Sequence, residues 1–400
     1  MRTYSRITYR SLSLAAVLLT LALCSRWIQA DAGNCGGGAI TLPFSDVTSS
    51  NIFFCSIAEA YFSGLTNGIT PTTYGPSQPV AREQMAAFVT RTMDQSLKRG
   101  NRRAALQQWW TPTEAGSMRT FSLFSPYDMV SDGVDVWVTS FAAMGTVKRL
   151  RASDGVLLGT WTGANSALGI VAAAGRIFVT AQTSPGKIYV LNPDAAPGVV
   201  TIFENDIGAN PVQITFDGAN LWTANLSGSI SRVNASSAID STFTAGFVAP
   251  YDILWDGSNL WVVDSGDNHV KRVDVSSGLV LESIAVGNQP RNILFDGMNI
   301  WVSNALGDSI TIVRAIGNLR GTVLATLTGN GLNFPLAMAF DGERVLVCDN
   351  GNSSVSLFRA SDFTPISTLS VGSGIGPPTS ACSDGVNFWI GSQNNLVARF

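Results

Sequence analysis

Short apolar runs separated by turn residues recur along the greater part of the chain. In the clearest unit the turns are Asp-Gly, Ser-Gly-Asp-Asn and Ser-Ser-Gly, and the apolar runs between them are Ile253–Trp255, Leu260–Val263, Val270–Val273 and Leu279–Ile284. Runs of this length with turn residues at both ends predict β-strands. Each unit is therefore predicted to contain four short strands.

The unit is repeated. Four ungapped copies begin at prolines: "PYDMVSDGVDVWVTS" at Pro126, "PVQITFDGANLWTAN" at Pro211, "PYDILWDGSNLWVVD" at Pro250 and "PRNILFDGMNIWVSN" at Pro290. Weaker copies begin at Leu168, Pro335 and Pro378, and the central glycines of the seven copies lie 39 to 45 residues apart. Seven four-stranded units in sequence predict an all-β, seven-bladed β-propeller over residues 117–400.

The seventh copy is too short for a fourth strand, because only 15 residues follow its glycine, Gly385. The segment 118–124 precedes the first copy and has strand character. We expect it to supply the missing outer strand, which joins the two ends of the repeat region and removes an open sheet edge.

The pattern changes to a helical one in residues 31–97. Apolar residues at helical spacings predict one helix over Ile52–Leu65, capped by Ser49, Ser50 or Asn51, and a second helix from Val80. The basic residues Lys98, Arg99, Arg102 and Arg103 then predict a helical linker over residues 98–116. A small α-helical unit is therefore expected before the propeller.

The first 30 residues have the pattern of a cleaved secretory leader. Arg2, Arg6 and Arg10 precede an apolar run from Leu12 to Leu23, and Ala30 and Ala32 are small residues near a cleavage point. The run is shorter than the roughly 20 residues that span a bilayer. We therefore expect an exported protein, in the cell envelope or outside it, with no transmembrane segment after cleavage.

Charge excludes one class of partner. The chain has 25 basic and 28 acidic residues, and residues 116–400 hold 15 basic and 22 acidic ones. Nucleic-acid binding requires a basic surface that neutralises phosphates, and the repeat region has none. We therefore do not expect a nucleic acid as partner.

Cleavage of the leader would leave four cysteines. In an exported protein Cys35 and Cys55 are candidates for a disulfide that closes a loop of about 20 residues. Cys348 and Cys382 lie in apolar runs and are either buried thiols or a second pair. No Cys-x-x-Cys or Cys/His cluster indicates a metal site.

Four segments follow one another in the N-terminal unit: "FSDV" from Phe44, an aromatic helix, "GLTNGIT" from Gly64 and "YGPSQPVAREQMAAFVTR" from Tyr74. Together they resemble the S-layer homology (SLH) family. The resemblance implies attachment to a peptidoglycan-linked polysaccharide, with Arg82 and the adjacent Glu83 at the binding segment. A guanidinium group binds a carboxylate or phosphate through two parallel hydrogen bonds. The alternative is a motif with only a structural role, in which Arg82 and Glu83 lie at the start of a helix and are exposed to solvent.

The aspartates of the Asp-Gly turns are interpreted as structural, and the recurrent tryptophans as residues packed between blades. Candidate functional residues are instead those whose loops converge at one end of the central channel. One layer follows the repeat prolines and the other joins the second and third strands of each blade. The channel candidates are Asp128, Asp252, Arg291, Asn292, Asp264, Asn304 and Asp349.

The repeats resemble the YVTN, NHL and virginiamycin B lyase-like propellers, whose units share the Asp-Gly-x-x-aliphatic-Trp pattern. The resemblance implies a fold more than an activity. Our leading interpretation is a non-enzymatic envelope protein whose propeller binds an unidentified protein or carbohydrate, with no cofactor required. One alternative is a secreted lyase or hydrolase with His269 as base and Asp264 or Asp308 holding a divalent cation. Another is a structural protein that self-assembles through the SLH-like unit.

Overall fold

The computed structural model describes residues 32–35, 38–51, 53–62, 66, 68–80, 85, 119–236, 240–372 and 374–399. The chain divides into two compact units, Met1–Arg99 and Gly100–Phe400. The predicted leader (1–30) and the predicted linker (98–116) lie outside the described residues. Within the described ranges, no helix is long and apolar enough to cross a membrane.

The N-terminal unit begins with an antiparallel hairpin of strands β1 (Ala32–Cys35) and β2 (Gly38–Thr41), followed by helix α1 (Phe54–Phe62). The side chain of Asn51 accepts a hydrogen bond from the amide of Phe53 at 2.8 Å, as expected of a residue that caps a helix start. The core of this unit consists of Leu42, Phe44, Val47, Phe54, Ile57 and Ala58.

This unit does not support the predicted α-helical domain. Its described part holds a hairpin that was not predicted and helix α1, whose described residues Phe54–Phe62 lie within the expected Ile52–Leu65. Of the second helix predicted from Val80, the structure describes little more than Met85, which is helical. The hairpin strands have only four residues each and contain few apolar side chains, so they leave no clear periodic signal in the sequence.

The seven-bladed propeller is confirmed. Each blade is an antiparallel sheet of four strands. The first six blades are β4 Pro126–Ser131, β5 Asp135–Ser140, β6 Thr146–Arg151 and β7 Leu157–Thr162; β8 Ala167–Ala173, β9 Arg176–Ala181, β10 Gly186–Leu191 and β11 Thr201–Ile207; β12 Pro211–Phe216, β13 Asn220–Asn225, β14 Ser229–Asn234 and β15 Asp240–Phe243; β16 Pro250–Trp255, β17 Leu260–Asp264, β18 His269–Val273 and β19 Val280–Ala285; β20 Pro290–Phe295, β21 Asn299–Asn304, β22 Ser309–Arg314 and β23 Val323–Thr328; β24 Pro335–Phe340, β25 Arg344–Asp349, β26 Ser354–Arg359 and β27 Pro365–Ser370.

The seventh blade is built from both ends of the repeat region. Its strands are β28 (Pro378–Ser383), β29 (Phe388–Ser392), β30 (Leu396–Arg399) and β3 (Arg119–Ser122). Strand β3 lies inside the segment 118–124 and pairs antiparallel with β30. The ring of Phe121 stacks on Trp389 at 5.9 Å between centroids, so the contact between the two ends includes side chains as well as backbone.

Burial decreases from the second strand of a blade to its outer strand. All six residues of β5 and of β21 are buried, whereas β27 is exposed or half-buried throughout. The second strand packs on both faces against neighbouring blades, and apolar residues are therefore favoured at nearly every position. The outer strand has solvent nearby, and polar residues are accepted there.

One contact is repeated at the turn after the first strand. In blade four, Oδ1 of Asp256 accepts hydrogen bonds from the amides of Ser258 and Asn259, and Oδ2 accepts one from the indole nitrogen of Trp261 at 2.7 Å. Gly257 has φ +95°, which the tight turn requires. The same indole to carboxylate bond joins Trp137 to Asp132, Trp222 to Asp217, Trp301 to Asp296 and Trp389 to Asp384.

These five tryptophans are fully buried, and each packs against the next blade. Trp261, for example, belongs to the cluster that includes Ile293 and Ile300 of blade five. In blade six the position of the tryptophan is occupied by Leu346, and Nε of Arg344 donates to Asp341 instead at 2.9 Å. The Asp-Gly aspartates and the tryptophans thus act together, and the aspartates are turn residues as interpreted.

Candidate functional site

The starts of the inner strands surround one end of the central channel. There the structure contains a cavity of about 360 Å³, which we call the channel-mouth cavity. Among the sequence candidates, Asp128, Arg291 and Asn292 line it. Phe141, from the loop between β5 and β6, also lines the cavity. Residues next to the repeat prolines line it too, and these include Tyr127, Gln213, Tyr251, Thr379 and Ser380.

Two tyrosines from different blades meet at this cavity. The hydroxyl oxygens of Tyr127 (blade one) and Tyr251 (blade four) lie 3.3 Å apart, so one donates to the other. The ring of Phe141 lies 5.8 Å from that of Tyr127. Burial and then the neighbouring Tyr251 raise the pKa of Tyr127 above its ordinary value, so this phenol is neutral at physiological pH. The cavity therefore has an aromatic wall with phenol hydroxyl groups at its edge.

Arg291 supplies a cation beside this wall. Its guanidinium carbon lies 4.4 Å from the centroid of the Tyr251 ring, a distance typical of a cation–π contact. Arg291 is half-buried, and the described part of the chain offers its N–H groups neither an ion pair nor a hydrogen bond. Stacking restricts the guanidinium while its donors stay free for a ligand.

Asp128 and Asp252 connect blades. One carboxylate oxygen of Asp128 accepts from the amide of Ile170 in the next blade at 3.1 Å. Asp252 is 6% exposed and accepts from the amide of Ile293 at 2.9 Å and from the side chain of Asn292 at 2.7 Å. Burial raises the pKa of Asp128 to about 6 and that of Asp252 to about 7. Asp128 lines the channel-mouth cavity and the sequence candidate Asp252 does not, and the carboxyl groups of both residues already have hydrogen-bond partners.

Asp264, Asn304 and Asp349 are not channel-lining residues, and this corrects the sequence-based assignment. All three have no exposed surface, so they cannot contact a molecule in the channel. They end the second strands of their blades and bond to the third strands. The bonds join Asp264 to Lys271 (2.7 Å), Asn304 to Thr311 (3.0 Å) and Asp349 to Ser356 (2.5 Å).

His269 and Asp264, two residues of the catalytic alternative, both have local contacts. Nδ1 of His269 lies 2.8 Å from the carbonyl oxygen of Asp267. Asp264 accepts bonds from the amides of Val248 and Ala249 as well as from Lys271. Burial favours a raised pKa for Asp264, but these bonds outweigh it and the pKa is lowered. Its oxygens are therefore occupied, and in the described ranges no three His, Cys, Asp or Glu side chains are grouped as metal ligands.

The predicted wall-binding residues Arg82 and Glu83 lie outside the described residues. The part of the motif that is described is held together locally: Asp46 accepts bonds from the amides of Tyr74 and Gly75 at 2.8 and 2.7 Å. Phe44 lies 5.0 Å from Tyr61 and 5.3 Å from Tyr74 between ring centroids. The segments "FSDV" and "TYG" and helix α1 thus meet in space.

The structure shows for three cysteines whether they form a disulfide. Cys55 is disulfide-bonded, and Cys348 and Cys382 are free and buried. Burial raises the pKa of both free thiols well above the ordinary value, which makes them poor nucleophiles. The two free thiols leave Cys24 and Cys35 as the residues that can pair with Cys55, and the pairing with Cys35 stays a prediction.

The register of the repeats could have added Thr379 and Ser380 to the candidates, because they follow Pro378 as Tyr127 and Asp128 follow Pro126. Phe141 could not have been found in that way. It belongs to a loop whose length and sequence differ from blade to blade, and only the folded ring brings it beside Tyr127.

The chain matches no protein-family model. A stretch of 57 residues is 39% identical to a cell surface protein of Thermoanaerobacter kivui, and it amounts to 14% of this chain and 8% of that protein. The chain therefore covers only a small part of the relative.

Solved structures resemble the propeller. Virginiamycin B lyase from Staphylococcus aureus has a TM-score of 0.60 at 16% identity, over 71% of this chain and 98% of that one. Hydrazine synthase from Kuenenia stuttgartiensis has a TM-score of 0.59 at 16% identity, over 73% and 98% of the two chains. At such identities the likeness shows the fold alone, and one fold serves many functions.

Proposed function

We propose that the protein is exported to the cell envelope, attaches there through its N-terminal unit, and uses the propeller to bind a ligand in the channel-mouth cavity. The observation that carries the proposal is Arg291 stacked on Tyr251 with its N–H groups free. A rigid aromatic wall beside a few convergent polar groups is the usual composition of a ligand site. Stacking on Tyr251 holds the guanidinium group of Arg291 in place before a ligand arrives, and this reduces the entropic cost of binding.

Three observations support the location. Residues 1–30 have the pattern of a secretory leader. The 57-residue similarity is to a cell surface protein. The disulfide at Cys55 is chemistry that persists outside the reducing cytosol.

Attachment is proposed to involve the SLH-like unit and a peptidoglycan-linked polysaccharide. The contacts of Asp46 with Tyr74 and Gly75 fix the loop that precedes the "PVAREQ" segment. Arg82 in that segment is the residue that we expect to bind an anionic group of the polymer.

Two measurements on the full chain test the two parts. For attachment, the chain is sedimented with purified cell walls, and Arg82→Ala should leave it in the supernatant. For ligand binding, thermal unfolding is followed with and without low-molecular-weight fragments of digested cell wall. The fragments should raise the Tm of the native chain and of Arg176→Gln, an exposed arginine on β9, but not that of Tyr251→Ala. An equal rise in all three proteins would contradict binding in the cavity.

A further inference from the structure

We propose that the channel-mouth cavity binds a sugar carrying one carboxylate, that is, a uronic acid residue. This inference rests on the proposed function and names the chemical class of its ligand. Three observations support it: the guanidinium N–H groups of Arg291 have no partner among the described residues, the nearby carboxyl groups already accept hydrogen bonds, and the surface around Arg291 is aromatic and polar.

The free charge is one guanidinium. Arg291 lines the cavity, its face is used by the ring of Tyr251 at 4.4 Å, and its N–H edges have no ion-pair or hydrogen-bond partner among the described residues. The planar fork of an arginine matches a carboxylate through two parallel hydrogen bonds. A monoanion adds one negative charge to a cavity that already holds Asp128, whereas a phosphate dianion would add two in a partly buried site.

Cations and zwitterions are disfavoured by the same site. Asp128 is the carboxyl group that lines the cavity, and its oxygens accept from the amides of Met129 and Ile170. Asp252, behind the wall, accepts from Ile253, Ile293 and Asn292. A ligand ammonium or metal ion would have to displace these bonds while it faced Arg291. An amino acid therefore fits less well than an acid without an amine.

The rest of the wall has the chemistry that binds a sugar ring. Tyr127 and Phe141 offer aromatic surface for the C–H face of a pyranose. Ser380 Oγ lies in the cavity wall, is buried, and has no hydrogen-bond partner among the described residues. Gln393 adds an exposed amide at the rim. A purely aromatic acid would leave these polar groups without partners, whereas sugar hydroxyls can donate to them.

The size of the cavity limits the length of the ligand. Its volume of about 360 Å³ is at the low end of the range for small-molecule sites. One or two rings fit that range better than a long oligosaccharide does. The bound residue is either a free sugar or the terminal residue of a polymer. The affinities of a monomeric and an oligomeric uronide distinguish these two sources.

The test is isothermal titration calorimetry on the full chain with methyl glucuronide, methyl glucoside, benzoate and a diuronide. We expect the glucuronide to bind about 10- to 100-fold more tightly than the glucoside, because one charge-assisted pair is added. Arg291→Gln should remove this preference. Arg291→Lys should retain part of it, and the matched control Arg176→Gln should retain all of it. A tighter diuronide would indicate a polymer end as the source.

Equal affinities for glucuronide and glucoside would overturn the proposal, and so would a benzoate affinity equal to that of glucuronide or an unchanged preference in Arg291→Gln. Thermal unfolding of Arg291→Gln without ligand should give the Tm of the native chain, which distinguishes loss of the binding site from loss of the fold. If no uronide binds but wall fragments still raise the Tm in a Tyr251-dependent way, the ligand class is wrong and the proposed function stands. If neither probe acts through the cavity, both fail.

Discussion

The indole nitrogen of Trp261 lies 2.7 Å from Oδ2 of Asp256, the residue that begins the Asp-Gly turn of blade four. The other oxygen of the same carboxylate accepts from two turn amides. A single aspartate thus joins the turn at one end of the blade to the side chain that packs against the next blade. The arrangement recurs in five blades, so it is a property of the repeat.

A double-mutant cycle of Asp256→Ala and Trp261→Phe should measure this bond. Phenylalanine keeps the ring but has no N–H, and a buried bond to a charged acceptor is worth about 1.5 to 3 kcal/mol. We expect an interaction free energy in that range from urea unfolding. Asp256→Ala combined with Trp301→Phe, whose partner is Asp296, should be additive within about 0.5 kcal/mol. Additivity in the first pair as well would refute the bond.

Replacing Lys271 and Asp264 together should lower the free energy of unfolding less than replacing Lys271 alone. The ammonium and the carboxylate are almost wholly buried, 2.7 Å apart. Lys271→Thr removes the cation from the Asp264 carboxylate and also from the half-buried Asp267 carboxylate, and it should lower the free energy of unfolding by about 3 to 5 kcal/mol. The equivalent positions of blade five hold Asn304 and Thr311. Adding Asp264→Asn to Lys271→Thr copies that pair and should recover the part of the loss that comes from the buried Asp264 carboxylate, as measured by urea unfolding. No recovery would show that the charges are required.

Stability should fall as the pH rises from 5 to 8. Burial raises the pKa of Asp349 to about 7, that of Asp252 to about 7 and that of Asp128 to about 6, against about 3.9 in an unfolded chain. Between these values the folded state binds more protons than the unfolded state. The contribution of these three carboxyl groups to the free energy of unfolding is therefore fully present below their pKa in the unfolded chain. It is lost as the pH rises through their pKa in the folded protein.

The variant Asp349→Asn tests this in blade six. It cannot titrate, and Asn304 occupies the equivalent position of blade five. We expect the decline in unfolding free energy between pH 5 and 8 to become shallower, by up to about 1.4 kcal/mol per pH unit. Asp362→Asn is the control, because Asp362 is exposed and its pKa is lowered. A native chain whose stability is constant over this range would disprove the raised pKa values.

Closure of the ring should depend on Phe121. This residue belongs to β3, and its ring stacks on Trp389 in the same blade. Phe121→Ala removes a partly buried ring and should cost about 2 to 4 kcal/mol in urea unfolding. Phe124→Ala, at a position that is 63% exposed, should change the stability by less than about 0.5 kcal/mol. Equal effects at the two positions would mean that β3 adds backbone pairing alone.

The seven-bladed propeller could be predicted from the amino-acid sequence alone. The strands, the Asp-Gly turns and the seven copies are local and periodic features, and a period of four strands has few ways to bury its apolar residues. The repeat register also identified the channel candidates that follow the prolines, including Asp128, Arg291 and Asn292. The N-terminal hairpin escaped prediction because its strands are short and only partly apolar.

The tertiary structure alone decided which polar residues face the channel. Alternation along a strand tells which face a side chain takes but not how far its strand lies from the central axis, so Asp264, Asn304 and Asp349 were assigned to the channel although they have no exposed surface. The approach of Tyr127 to Tyr251 and the stacking of Arg291 on Tyr251 join residues 124 and 40 positions apart. Such contacts depend on the closed ring, which brings distant blades to one mouth, and no local pattern records them.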